Sequence, residues 1–166
     1  MNIELEEYKP EWAELFEKER ELLFRKIGQF SFGAIEHVGS TSVQGLVAKP
    51  IIDIMFGVKD LESSRAAIPD LAELDYCYYP YKGDVMHWFC KPAPELRTHH
   101  LHLVPFESQL WVERIRFREI LRMNRTVANE YAQIKLSLAS KYATDREAYT
   151  LHKWPFIKSV LESAHY

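Results

Sequence analysis

EHVGSTSVQGLVAKPIIDIMF, residues 36–56, decides how the whole chain is read. Residues 33–38, GAIEHV, read as a strand, and residues 41–46 as a turn or short helix, with Pro50 barring any helix from running further. Ile51–Val58 is rich in β-branched and apolar residues, the pattern of a central strand covered on both faces. Asp53 is its one charged residue, at mid-strand on the same face as Ile51 and Met55. A buried carboxylate without a partner costs several kcal/mol, so Asp53 needs a metal, a cation or the end of a cleft. A turn that follows a strand and precedes a helix start points several backbone N–H groups one way, and glycine lets a phosphate approach them. Gly39 supplies such a turn, Ser40, Thr41 and Ser42 add hydroxyls, and Lys49 adds a cation. The plainer alternative is a serine-rich turn followed by an aspartate paired with Lys49 or an arginine.

Outward from this stretch, Pro10 opens a helix carrying Trp12, Leu15, Phe16, Glu19, Leu22, Leu23 and Ile27 at helical spacing, with Gly28 suited to its end. Asp60 caps a helix over residues 61–74 that Pro69 kinks or divides. YCYYPY and VMHWFCK, joined by Lys82-Gly83-Asp84, form a hairpin, and HHLHLV, residues 99–104, is the last strand. From residue 107 the pattern is helical: one helix over 108–122, then a stripe of Val127, Tyr131, Ile134, Leu138 and Tyr142 read as core. Thr144 with Glu147 reads as a capping box for a final helix through about Ala164, bent at Pro155. The expected fold class is mixed α/β (α+β): a core over residues 1–106 and a helical part over 107–166 packed on it as one structural domain.

At 166 residues the chain can bury a sizeable core without staples. With 27% charged and 47% apolar residues it is globular, and a net charge of −3 gives no footprint for nucleic acid. No apolar run is long enough to span a membrane, and the acidic start MNIELEEYKP lacks the apolar core of a signal peptide. Cys77 and Cys90 read as free thiols, and the expected location is the cytoplasm.

IEHVGSTSVQGLVAKPIIDI resembles the signature of the GrpB family, and HHLHLV, FREIL, DREAY and Lys153 with Phe156-Ile157 resemble its later motifs in order, from Glu7 to Leu161. Gln44 departs from the family's usual proline and removes no chemical group. The resemblance implies a nucleotidyltransferase-like mixed sheet flanked by helices, in a domain that also occurs fused to dephospho-CoA kinase. That fold pairs Gly-Ser with Asp-x-Asp or Asp-x-Glu, whose carboxylates hold divalent metals that polarise a phosphate. Gly39-Ser40 and Asp53 fit, with twelve residues between Ser40 and Asp53, but the second acid is replaced by Met55. Methionine does not hold Mg²⁺, which takes oxygen ligands.

The last strand offers replacements. His100 and His102 point to one face and His99 to the other. With Asp53 they make a ligand set suited to Zn²⁺, Mn²⁺ or Fe²⁺ more than Mg²⁺. Glu36 and His37 are further candidates for the substrate side, whereas His87, His152 and His165 read as incidental. Arg114, Arg118, Arg122 and Arg125 share a helix face, either solvated and paired with Glu113 and Glu119 or, at Arg118, turned to a phosphate. Tyr149 and Lys153, one turn apart within the family-like motifs, are expected to face the cleft. The expected function is binding of a nucleotide or other phosphorylated small molecule, with Asp53 as metal ligand or base of a metal-dependent transferase. The alternatives are a catalytically silent cofactor-binding module and an interaction protein. The aromatic hairpin has apolar surface enough for a homodimer contact or a cleft wall.

Overall fold

The structure, a computed structural model, describes residues 2–163; the expected helix end at Ala164, and His165, lie outside them. One mixed sheet holds β1 (Ile35–Val38), β2 (Ile52–Val58), β3 (Cys77–Tyr79), β4 (His87–Pro92) and β5 (Arg97–Pro105) in the order β1-β2-β5-β4-β3. β2 and β5 pair in parallel at the centre, and the remaining pairs are antiparallel. The helices are α1 (Glu11–Ile27), α2 (Leu61–Ser64), α3 (Ile68–Ala72), α4 (Gln109–Met123), α5 (Arg125–Lys141) and α6 (Arg146–Ser163). None is long and apolar enough to cross a membrane.

Strand alternation sorts the side chains into two faces. On the first, Ile52, Ile54, Phe56, Phe89, Leu101 and Leu103 meet Trp12, Phe16, Leu23 and Ile27 of α1 and Leu71 of α3. Each such large apolar side chain contributes roughly 1.5–3 kcal/mol on burial, which makes this layer the main source of cohesion. On the second face Val38, Met55, Trp88, Cys90 and Val104 pack with Trp111 of α4. A third cluster joins Val43 and Leu46, in the loop after β1, to Leu121 and Tyr131 of the helical part. The helices after residue 107 therefore close over the loop that precedes Asp53.

Three local expectations change. Asp53 is the second residue of β2, beside the end of β1, rather than at mid-strand. The cap of α6 is Asp145, whose Oδ1 accepts from the Ala148 N–H at 3.0 Å; Thr144 lies one residue too early. Gly28 does not end α1 in a left-handed turn: at φ −58° it continues into a 3-10 turn, Gly28–Phe30. Around Pro69 the helix does divide, with a 3-10 turn over Arg65–Ala67 between α2 and α3 and the Asp60 carboxylate accepting from Ser63 N–H at 2.7 Å.

Gly57, on the central strand, is held by backbone on two sides. It accepts from Phe32 N–H at 2.8 Å and donates to the Ala34 carbonyl at 2.9 Å. A Cβ there would overlap the Phe32 carbonyl and lie 2.8 Å from that of Ala34. Gly57→Ala is expected to lower unfolding free energy by about 2 kcal/mol or more. Gly83→Ala, where a Cβ meets open space, should stay within about 0.5 kcal/mol of the parent by urea unfolding.

Candidate functional site

Antiparallel pairing of β1 and β2 sets Val38 opposite Asp53, so the turn that leaves β1 passes directly over the Asp53 carboxylate. Gly39 takes φ 73°, in the left-handed region, and a Cβ on it would overlap Asp53 Oδ2 and lie 3.0 Å from the acid's Cβ and Cγ. Glycine is required there for conformation and for space. On the other side, parallel pairing with β5 puts His100 opposite Asp53 and His102 opposite Met55. His100 Nδ1 lies 3.1 Å and His102 Nε2 3.6 Å from Asp53 Oδ1.

These three residues offer donor atoms that all lie within 4.8 Å of one another. Two donors bonded to one Zn²⁺ at its usual bond lengths sit about 3.3 Å apart, close to the separations of Asp53 Oδ1 from His100 Nδ1 and His102 Nε2. His102 Nε2, the nitrogen that faces Asp53, is buried without a hydrogen-bond partner, whereas the His100 nitrogen facing Asp53 is Nδ1 and its unpartnered nitrogen is Nε2. Ligation of His102 through Nε2 puts its proton on Nδ1, which faces Met86 Sδ at 3.4 Å. Arg114, 3.0 Å from the same Nδ1, must then give way, because guanidinium can only donate. Met55 is wholly buried in the apolar layer, so the second face carries no carboxylate in its place.

Burial pushes the Asp53 carboxyl up, but the His100 hydrogen bond and the adjacent His102 ring outweigh it and hold the acid well below the ordinary carboxylate range. Burial and the Arg114 charge push His102 down to about 4, so it is neutral at physiological pH.

A sequence profile described as GrpB protein matches residues 2–163. The chain belongs to the GrpB family. It is 36% identical over 155 residues to the glutamate-rich protein GrpB of Alkalihalophilus pseudofirmus, covering 90% of this chain and 88% of that protein. It is 30% identical to the UPF0157 protein YqkA of Bacillus subtilis over 98% of this chain, which spans 47% of that longer protein. The fold superposes with a TM-score of 0.84 on the crystal structure of the conserved protein GrpB from Enterococcus faecalis, at 29% identity, covering 96% of this chain and 98% of that one.

In this GrpB chain, only some of the residues singled out in the sequence converge on Asp53. Gly39 does, and Ser40 acts on the buried Tyr131 hydroxyl, which also feels the Asp53 charge. Lys49 and Lys153 lie 4.9 and 4.5 Å from the centre of the Tyr149 ring, and both feel Asp53.

Five other candidates are occupied elsewhere. His37 points to the first face, stacked on Phe16 with ring centres 4.8 Å apart, because it alternates with Val38. Its Nε2 lies 3.0 Å from Thr41 Oγ1, and that hydroxyl donates to the Ile51 carbonyl at 3.1 Å. Ser42 donates its hydroxyl back to the Gly39 carbonyl at 2.5 Å. Arg118 bonds Glu36 at 2.7 Å, the His37 carbonyl at 2.8 Å and Glu119 at 2.8 Å, so Glu36 and Arg118 are engaged with each other in this structure. The arginine face is mixed: Arg122 and Arg125 are exposed, Arg118 and Arg122 pair with Glu119, and Arg114 reaches His102. It docks α4 on the sheet and turn, with Arg122 donating to the Ser42 carbonyl at 2.8 Å.

Arg114, Tyr131 and Lys135 were not foreseen at the site. Tyr131 sits in the stripe read as core, and Lys135 follows it by one helical turn, which is the signal that places a buried lysine beside it. His87, read as incidental, is buried with Nε2 2.7 Å from the Leu61 carbonyl.

Desolvation pushes His37 down to about 4. Its unfolded form titrates near 6.5, so between these values the unfolded chain binds more protons and stability falls with acidification. Above pH 6.5 the neutral form is favoured in both states and the contribution is fully present. His37→Gln is expected to destabilise the fold at pH 7.5 and to narrow its gap to the parent by about 2 kcal/mol at pH 4.5, measured by urea unfolding at both values.

Proposed function

We propose that the cleft between the Gly39 turn, Asp53 and the β5 histidines binds a nucleotide or related phosphorylated small molecule together with a divalent ion. The observation that carries this is the meeting of Asp53, His100 and His102 directly under a glycine turn that leaves no room for a side chain. Asp53, His100 and His102 would hold the ion, and Zn²⁺ or Mn²⁺ suits two imidazoles and one carboxylate better than Mg²⁺ does. When bound, such an ion polarises a phosphoryl oxygen. Ser40 and Tyr131 offer hydroxyls, and Lys49 and Lys153 offset phosphate charge.

Metal-dependent transfer is the second reading, favoured by the ionised Asp53 beside a neutral His102. Asp53 would then be metal ligand rather than proton acceptor, because an acid held so far below its ordinary range is a weak base. A silent binding module uses the same residues without turnover, and the nucleotidyltransferase-like arrangement, including the missing acid at Met55, is compatible with either.

Thermal unfolding with Mn²⁺ or Zn²⁺ and a panel of nucleotides and CoA precursors tests the proposal. A ligand at a hundred times its Kd should raise the midpoint by roughly 5–10 °C. Asp53→Asn should remove the metal-supported part of that rise, and pyrophosphate release separates transfer from binding. If no compound in the panel moves the midpoint with either metal, the proposal fails and an interaction role gains.

A further inference from the structure

The fold brings three lysines from three separate segments within reach of the Asp53 charge: Lys49 before β2, Lys135 on α5 and Lys153 on α6. Lys49 and Lys153 lie against the same Tyr149 ring. Lys135 lies 5.1 Å from the centre of the Tyr131 ring and donates to the Val47 carbonyl. Lys135 is 1% exposed, unusual for a residue type that is almost never buried unless paired. Among the described residues, none of the three forms an ion pair within 4.0 Å, and the carboxylate whose charge they share is Asp53. Holding the Val47 carbonyl uses one of the three N–H groups of Lys135 and does not explain why two more cations converge on it.

Resting on the proposed phosphate site, we infer that Lys49, Lys135 and Lys153 form a subsite for a chain of two or more phosphoryl groups, selecting diphosphates and triphosphates over monophosphates. One phosphate adjoining Asp53 and the histidines can meet one or two of these ammonium groups. A second phosphoryl group supplies the charge that matches the third.

The titration behaviour agrees. Burial, then the charges of Lys153 and Lys49, push Lys135 down to about 7, with Asp53 opposing. Burial and Lys49 push Lys153 down to about 8, again against Asp53. Lys49 is lowered by burial, with Asp53 opposing and Arg146 and Arg97 adding to the fall. A polyanion among them restores the ammonium forms, so binding takes up protons from solution.

Calorimetry in EDTA with AMP, ADP, ATP and inorganic pyrophosphate tests this. ADP and ATP are expected to bind at least tenfold tighter than AMP at pH 7. At pH 8, where nucleotide phosphates are already ionised, buffers of different ionisation enthalpy should report uptake of roughly one proton per ADP. Lys135→Met and, as a variant at a less buried position, Lys153→Met should each weaken ADP at least tenfold. Both should leave Mn²⁺ binding, measured with the metal alone, within twofold. Pyrophosphate binding without nucleotide binding supports the lysine subsite and sinks the nucleotide part of the proposed function. ADP binding that both variants leave unchanged, AMP binding as tight as ADP, or ADP binding without proton uptake overturns the inference and leaves the proposed site standing. Failure of ADP, ATP and pyrophosphate alike to bind overturns it as well.

Discussion

The contact between the Gly39 turn and the Asp53 carboxylate sets the terms for the rest of the second face. An ionised acid at the start of an inner strand is tolerable only where its charge is answered at once, because desolvation costs more than any single neutral hydrogen bond returns. Here the answer comes from the neighbouring parallel strand, whose His100 and His102 reach the same oxygen. Removing the side chain at position 39 is what allows the turn to lie close enough to join them. The register of two strand pairs thus brings together a glycine, an acid and two imidazoles that are far apart in the chain.

The two sheet faces then divide the work. The first carries most of the apolar packing, and most of its buried polar groups find protein partners, His87 Nδ1 being an exception. Glu19, though buried, accepts from Tyr76 at 2.7 Å and Lys91 at 2.6 Å. His37 is neutral and stacked on an aromatic ring. The second face leaves imidazole nitrogens without partners and gathers cations around one carboxylate. Buried like charges lower the stability of the free protein, and natural proteins keep such costs mainly where a ligand relieves them.

The helical part completes this face through two kinds of contact. Arg118 and Arg122 fasten α4 to backbone carbonyls at His37 and Ser42, beside the Gly39 turn. α5 and α6 bring Lys135 to the Val47 carbonyl and Tyr149 and Lys153 to Lys49, so this side of the site comes from residues after 107. Arginines bonded to carbonyls fix orientation because the planar guanidinium presents its donors in a rigid fork. The turn is consequently braced from the helical side as well as by its own Thr41 and Ser42 hydrogen bonds.

Local pattern was enough for much of this. A continuous run of β-branched and apolar residues identified the strand holding Asp53, period-two alternation put His100 and His102 on one face, and a 3.6-residue period identified α1 and α5. The sequence therefore determined the elements, the face each strand residue occupies and the isolation of Asp53 in an apolar run, because these depend on backbone geometry within a few residues. It could not say that Arg118 would be spent on Glu36, that His37 would turn away from the acid, or that Lys135 would be drawn inside with Lys49 and Lys153. Those outcomes were decided only in the tertiary structure, where strand order and helix docking choose which distant charges must share a low-dielectric space.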